Sequence, residues 1–170
     1  MIAMLRSPRE FFQPLAIGAP EPLREIPWTP SRMIHFLNGA NQRMVDRVPD
    51  MLKQVDVLLG NMEDAVPADQ KEAAREGFIQ VVKDNDFGEV GCWVRVNALD
   101  SPWFLDDVFR LVEEIGNDLD VIMLPKVLGA QDIQYVDRLL AQLEARFEVK
   151  RPILIHAILE TGGGVAQVEE

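Results

Sequence analysis

The sequence predicts an α/β fold with a parallel sheet and right-handed crossovers, either open and doubly wound or closed as a barrel. Three observations carry that prediction. Five short apolar runs recur along the chain, segments of helical length separate them, and polar or charged residues collect where the runs end. The runs are RMIHFL (Arg32–Leu37), VDVLLG (Val55–Gly60), GCWVRV (Gly91–Val96), DVIMLP (Asp120–Pro125) and PILIHAILE (Pro152–Glu160). Each has the length and composition of a buried strand.

Ahead of the first run, six of the 11 prolines fall within residues 1–30, which predicts an extended arm laid over a domain surface. Residues 31–170 form the folded unit. Helices are expected at roughly Asn41–Gln54, Ala68–Asp84, Trp103–Ile115 and Ala130–Ala145, giving the order βαβαβαβαβ. In the second of these, Ala73, Ala74 and Phe78 point to one face while Lys71 and Arg75 lie four apart on another, as an amphipathic outer helix requires. The third offers Ser101 as N-cap, Pro102 at the first helical position and acids in the next turn.

Composition narrows the function. A net charge of -11 argues against a nucleic-acid backbone or an anionic membrane surface as main partner. The apolar runs fall short of the roughly 20 residues that span a bilayer, and the amino terminus breaks its apolar stretches with charges and prolines. The single cysteine, Cys92, sits in an apolar run and reads as a small buried side chain in a reducing compartment, which places the protein in the cytoplasm.

In parallel α/β folds the reacting groups gather beyond the carboxyl ends of the strands. Here those positions hold Asn38, then Asn61, Glu63 and Asp64, then Arg95 and Asn97, then Lys126, and finally Glu160. Arg95 lies among apolar neighbours, where a guanidinium must be paired or must serve an anion. An ion pair with Glu63 or Asp64 is the plainer alternative. Glu160 precedes TGGG and suits a hard cation such as Mg2+, although a helix cap or surface glutamate has the same spacing. Lys126 can form a Schiff base only if its pKa falls, and no neighbour in the sequence lowers it, so a structural ion pair is the better reading. His35 and His156, inside apolar runs, read as core histidines rather than metal ligands.

Read together, NMEDAVPADQKEAAR, VRVNALDSPW, DVIMLPKV and ILETGGGVAQVEE resemble four ordered motifs of the HpcH/HpaI aldolase and citrate lyase beta-subunit superfamily, most nearly its malyl-CoA lyase branch. The resemblance spans roughly Ser31–Glu170. It implies a TIM (β/α)8 barrel of which the chain carries about the first five strands, and Mg2+, with Mn2+ as the alternative, held by Glu160. It also implies Arg95 as the catalytic and substrate-binding arginine, Glu63 and Asp64 as an acidic pair lining the metal pocket through water, and Phe36, Arg47, Leu159 and Glu160 on the substrate.

The implied activity is cleavage of malyl-CoA or methylmalyl-CoA to acetyl-CoA or propionyl-CoA plus glyoxylate, in a homo-oligomer, trimer or hexamer. Citramalyl-CoA or citryl-CoA lyase and pyruvate-dependent class II aldolase are the rivals within the superfamily, and a non-catalytic partial-barrel assembly module is the rival outside it. Three departures stand out. Asn61 replaces the family's first aspartate, HFLNGANQ replaces Phe-x-Pro-Gly-x-Arg-Pro, and Asn41 replaces an arginine that contacts CoA. Because a complete barrel takes about 250 residues, the chain is expected to be part of a longer protein. The second carboxylate ligand and the proton-transferring aspartate are then expected outside it, leaving residues 1–170 inactive alone.

Overall fold

A computed structural model describes residues 14–26 and 28–169. The Met1–Gln13 part of the expected arm, Pro27 and Glu170 lie outside the described residues. Five strands, β1 (Ile34–Leu37), β2 (Val57–Asn61), β3 (Gly91–Arg95), β4 (Val121–Leu124) and β5 (Leu154–Ala157), form one sheet in chain order. Every neighbouring pair is parallel. The connections carry α1 (Gln42–Val45) and α2 (Val48–Met51), then α3 (Lys71–Asp84), α4 (Phe104–Ile115) and α5 (Ala130–Arg146), and α6 (Gly162–Ala166) follows β5. The alternation expected from the sequence is the alternation found.

One expected helix is two. The segment Asn41–Gln54 breaks at Asp46 and Arg47 because Pro49, in the first turn of α2, has no N–H to continue the ladder and its ring would clash with the preceding turn. The cap before α4 also differs from expectation. Helix α4 begins at Phe104 with Trp103 in the cap position, while Ser101 closes a turn with its N–H on the Ala98 carbonyl and its hydroxyl is buried without a partner.

Alternate strand residues face two environments. Leu37, Leu58, Cys92, Val94, Ile122 and Leu124 point to the helices, where Phe78, Val82, Val108, Leu111, Val136 and Leu140 complete the main core. On the other face Val57, Leu59 and Met123 form a smaller cluster with Ile34, Trp93 and Ile158. Gly60 is needed where β2 meets α3, since a Cβ there would lie 2.6 Å from the Phe78 ring. Cys92 is buried as expected, and burial pushes its thiol pKa up, so the side chain is an inert core group.

The two histidines are not core residues. His156 is exposed on the face opposite the helices, its ring 5.5 Å from that of Trp93. His35 is half-buried, with Nδ1 2.8 Å from the Phe36 carbonyl oxygen. Both lie on outer strands of the sheet, β5 and β1, where fewer neighbours cover a side chain than in its centre. Among the described residues no helix is long and apolar enough to cross a membrane.

Candidate active site

The register brings the strand ends level. Leu37 pairs with Gly60, Asn61 with Arg95, Arg95 with Met123, and Leu124 with Ala157, so the residues just beyond these positions share one edge of the sheet. Glu63 and Asp64 follow β2, Lys126 follows β4, and Leu159 and Glu160 follow β5. Phe36 joins them from the second-last position of β1.

Arg95 is fixed on three sides. Its Nε donates to Asn61 Oδ1 at 2.9 Å, its guanidinium carbon stands 5.0 Å from the centre of the Phe36 ring, and one terminal nitrogen is 3.6 Å from Glu63 Oε2. Asn61 Oδ1 also accepts the Glu63 N–H at 3.1 Å. One amide oxygen thus locks both the arginine and the turn carrying the acid. The ring face adds cation–π attraction of about 0.5–1 kcal/mol or more as water is excluded. The plainer reading of Arg95, an ion pair with Glu63, is present only loosely, because the 3.6 Å approach makes no hydrogen bond and Glu63 Oε2 stays buried without a partner.

The stronger partner of that acidic pair is Lys126. Its ammonium lies 2.6 Å from Glu63 Oε1 and 2.9 Å from Asp64 Oδ1. Donating to the two carboxylates, Glu63 first, raises the Lys126 pKa, and the same ammonium, with Glu63 next in effect, holds the Asp64 carboxyl below its usual range. The expected ion pair is therefore found, and a lysine so charged is a poor nucleophile for a Schiff base. The Lys126 backbone N–H meanwhile donates to Glu160 Oε1 at 3.0 Å. That geometry uses a left-handed backbone, φ +55°, which disfavours a side chain bearing Cβ.

Two side chains read as outer-surface groups are buried supports. Lys71 donates to the carbonyls of Met62 at 2.8 Å and Glu63 at 3.0 Å, holding the turn from beneath. Desolvation lowers its pKa. Arg75 pairs with Asp107 on α4, while Ala73 is the exposed member of the trio assigned to the inner face. Asn97, expected at the polar edge, instead turns inward and donates to Asp107 through both its backbone and side-chain nitrogens, at 3.0 and 2.6 Å. The period of α3 was legible, but the charged ends of Lys71 and Arg75 could be placed only with their partners known. The single sequence signal was their four-residue spacing in register with Ala74 and Phe78.

Arg47 is exposed at the start of α2 and makes no side-chain hydrogen bond or ion pair with a described residue, so the structure does not join it to Arg95 and Glu63. Leu159 and Phe36 are each 44% exposed beside the same edge. Thr161 caps α6 by accepting the Gly164 N–H at 2.9 Å, and its hydroxyl donates to the Val127 carbonyl, fixing the turn after Glu160 to the one after Lys126. A separate cavity of about 820 Å3 opens toward the amino ends of the strands, lined by Leu23, Ile26, Trp28, Trp93, Leu154 and His156 among others, and it shares no residue with the Arg95 cluster.

Among the described residues no three His, Cys, Asp or Glu side chains converge as a metal-binding group. The oxygen chemistry still fits Mg2+, which is commonly held by one or two carboxylates with water elsewhere. Glu160 is exposed with one oxygen oriented by the Lys126 amide, and Glu63 Oε2 is a buried acceptor without a donor.

Residues 32–170 match the family described as HpcH/HpaI aldolase/citrate lyase. Over 167 residues the chain is 57% identical to the malyl-CoA/beta-methylmalyl-CoA/citramalyl-CoA lyase of Chloroflexus aurantiacus, covering 98% of this chain and 48% of that protein. Protein CitE of Mycobacterium tuberculosis, crystallised with magnesium and acetate, matches with a TM-score of 0.61 and 22% identity over 81% of this chain and 48% of the other. The Haloferax volcanii malate synthase lead(II) complex matches with a TM-score of 0.68 and 16% identity over 81% of this chain and 43% of the other. At these identities the structural likenesses speak for the fold. The chain spans about half the length of the curated relatives it matches.

Proposed function

The chain belongs to the HpcH/HpaI aldolase/citrate lyase family, and from that premise we propose that it is the amino-terminal part of a (β/α)8-barrel lyase that cleaves a 3-hydroxyacyl-CoA. The substrate class is malyl-CoA or methylmalyl-CoA, giving glyoxylate with acetyl-CoA or propionyl-CoA. The 57% identity to a relative named for these thioesters supports the class. The observation that carries the reading is the Arg95 guanidinium, held by Asn61 and Phe36 at a strand end with only a loose acidic contact.

In the proposed reaction the substrate C2–C3 bond breaks as the hydroxyl proton leaves. The bonding pair becomes the enolate of the thioester, which takes a proton to give the acyl-CoA, and the former hydroxyl carbon becomes the glyoxylate aldehyde. Arg95 would stabilise the enolate oxygen, where a fixed cation favours the transition state over the ground state. Glu160 would hold Mg2+, with Glu63 and Asp64 lining the pocket through water. When bound, the ion acts as a Lewis acid on the carbonyl of the two-carbon fragment. Phe36, Leu159 and Arg47 would lie along the thioester. Residues 14–26 and 28–30 are proposed as part of an arm on the barrel, the whole protein as a cytoplasmic homo-oligomer.

Citramalyl-CoA cleavage is the second reading, because the name of that 57% identical relative includes it. The complete gene product should be assayed with Mg2+ against malyl-, methylmalyl-, citramalyl- and citryl-CoA. Glyoxylate release supports the first reading and pyruvate release the second; failure with every thioester removes both.

A further inference from the structure

Resting on this reading of the site, we infer that Lys126 is a positioning residue that takes up the charge of Glu63 and Asp64, leaving the Arg95 guanidinium free for an anion. Three observations on separate atoms support it.

The first is the unequal sharing of Glu63. Lys126 approaches Oε1 at 2.6 Å while Arg95 stands 3.6 Å from Oε2, an oxygen that is buried and receives no hydrogen bond. A buried carboxylate oxygen would normally draw in a donor, since an unmet acceptor costs about 1–3 kcal/mol. Arg95 does not close that gap because Asn61 and Phe36 hold it away. Lys126 makes the separation tolerable by supplying the neutralising charge from the opposite side.

The second is Asp64, which the same ammonium binds at 2.9 Å. Two acids meet three cations here, Arg95, Lys126 and, beneath the turn, Lys71 on the Glu63 carbonyl, and of these Lys126 makes the short side-chain contacts to both carboxylates. The arrangement leaves Arg95 the under-compensated charge. Without Lys126, Glu63 and Asp64 would draw on Arg95 and offer a doubly negative site to a divalent cation.

The third is the backbone. Lys126 is one of two described non-glycine residues with positive φ. Its N–H on Glu160 Oε1 helps hold that conformation, so one residue reaches the acidic pair with its side chain and the carboxylate after β5 with its amide. A lysine standing where glycine would be unstrained points to a use for the ammonium.

The test uses the complete gene product with Lys126→Met, Lys126→Gly and Lys126→Arg. Glycine removes the ammonium while relieving the backbone, so it controls for misfolding; methionine keeps most of the side-chain length. Lys126→Met and Lys126→Gly should bind Mg2+ alone about fivefold more tightly by calorimetry, since a unit positive charge no longer opposes the ion at short range. In both, kcat on the preferred thioester should fall about tenfold, with KM within about threefold, because the loss is felt where enolate charge develops. Lys126→Arg should restore both values to near the parent. Unchanged or weaker Mg2+ binding in both deletions overturns the inference, as does an arginine variant that behaves like methionine. If the parent cleaves none of the thioesters, the functional reading fails separately, and the Mg2+ affinities still decide the role of Lys126.

Discussion

Arg75 of α3 and Asp107 of α4 form an ion pair at 3.1 Å with side chains only 9% and 0% exposed. Asp107 also accepts both Asn97 nitrogens, so one carboxylate joins two helices to the segment following β3. Burial pushes its pKa up, and the Asn97 and Arg75 contacts oppose that shift. Removing the acid would leave the buried Arg75 guanidinium with only its 3.4 Å contact to Glu76 Oε1 and would strand two Asn97 donors. Asp107→Ala should therefore destabilise the fold by about 3–5 kcal/mol in chemical denaturation, and Arg75→Met combined with Asp107→Leu should recover part of that loss. A loss below about 1 kcal/mol would show that water replaces the acid.

Much of the frame was legible because apolar period survives burial. Helix α4 buries Phe104, Val108, Leu111, Val112 and Ile115 along one stripe, while Asp106, Arg110, Glu113 and Glu114 lie off it. Strand β4 is buried along its whole length. What period could not show was where long polar chains end. Lys71 and Arg75 carry enough methylenes to pass through the core and place their charges under the strand ends. The edge residues of the site were legible as a set, since the register of a parallel sheet brings successive carboxyl ends together. The bridge from Lys126 to Glu63, Asp64 and Glu160 was not, because it depends on a left-handed residue and on contacts as many as 63 positions apart.

Glu160→Ala in the complete gene product should lose Mg2+-dependent turnover by at least about a hundredfold, with Tm lowered by no more than a few degrees, since the side chain is exposed and makes one hydrogen bond. Calorimetry supplies the check. Mg2+ binding at the parent affinity would remove Glu160 from the ion.

Arg95→Lys should fail to restore function. An ammonium cannot donate to Asn61 from the Nε position and also present a planar face to Phe36 and a fork to an anion. A fall in kcat/KM of about a hundredfold or more is expected. A value near that of the parent would show that any cation at this place suffices.

The Asp64 carboxyl is held below its usual range first by Lys126. A lowered folded-state pKa means that the pair favours folding above the ordinary aspartate value, about pH 4, and that this contribution is lost as pH falls through the lowered value. The stability difference between the parent and Asp64→Asn should accordingly be level from pH 5 to 8 and shrink below about pH 4. Urea titrations across that range would measure it. A difference that grows toward acid would contradict the pairing.

Strand β1 pairs only with β2, and β5 only with β4, among the described residues, so each presents an unpaired row of backbone donors and acceptors. Beside those edges the face opposite the helices shows Phe36 and His156 to solvent. Parallel edges of this kind are templates for another strand. Expressed alone, residues 1–170 should self-associate, and with one proposed carboxylate ligand, Glu160, they should cleave no measurable malyl-CoA. Light scattering and glyoxylate release test the two halves separately. A monodisperse monomer would show that the edges are protected, and glyoxylate above a Glu160→Ala control would show that these five strands suffice for the chemistry.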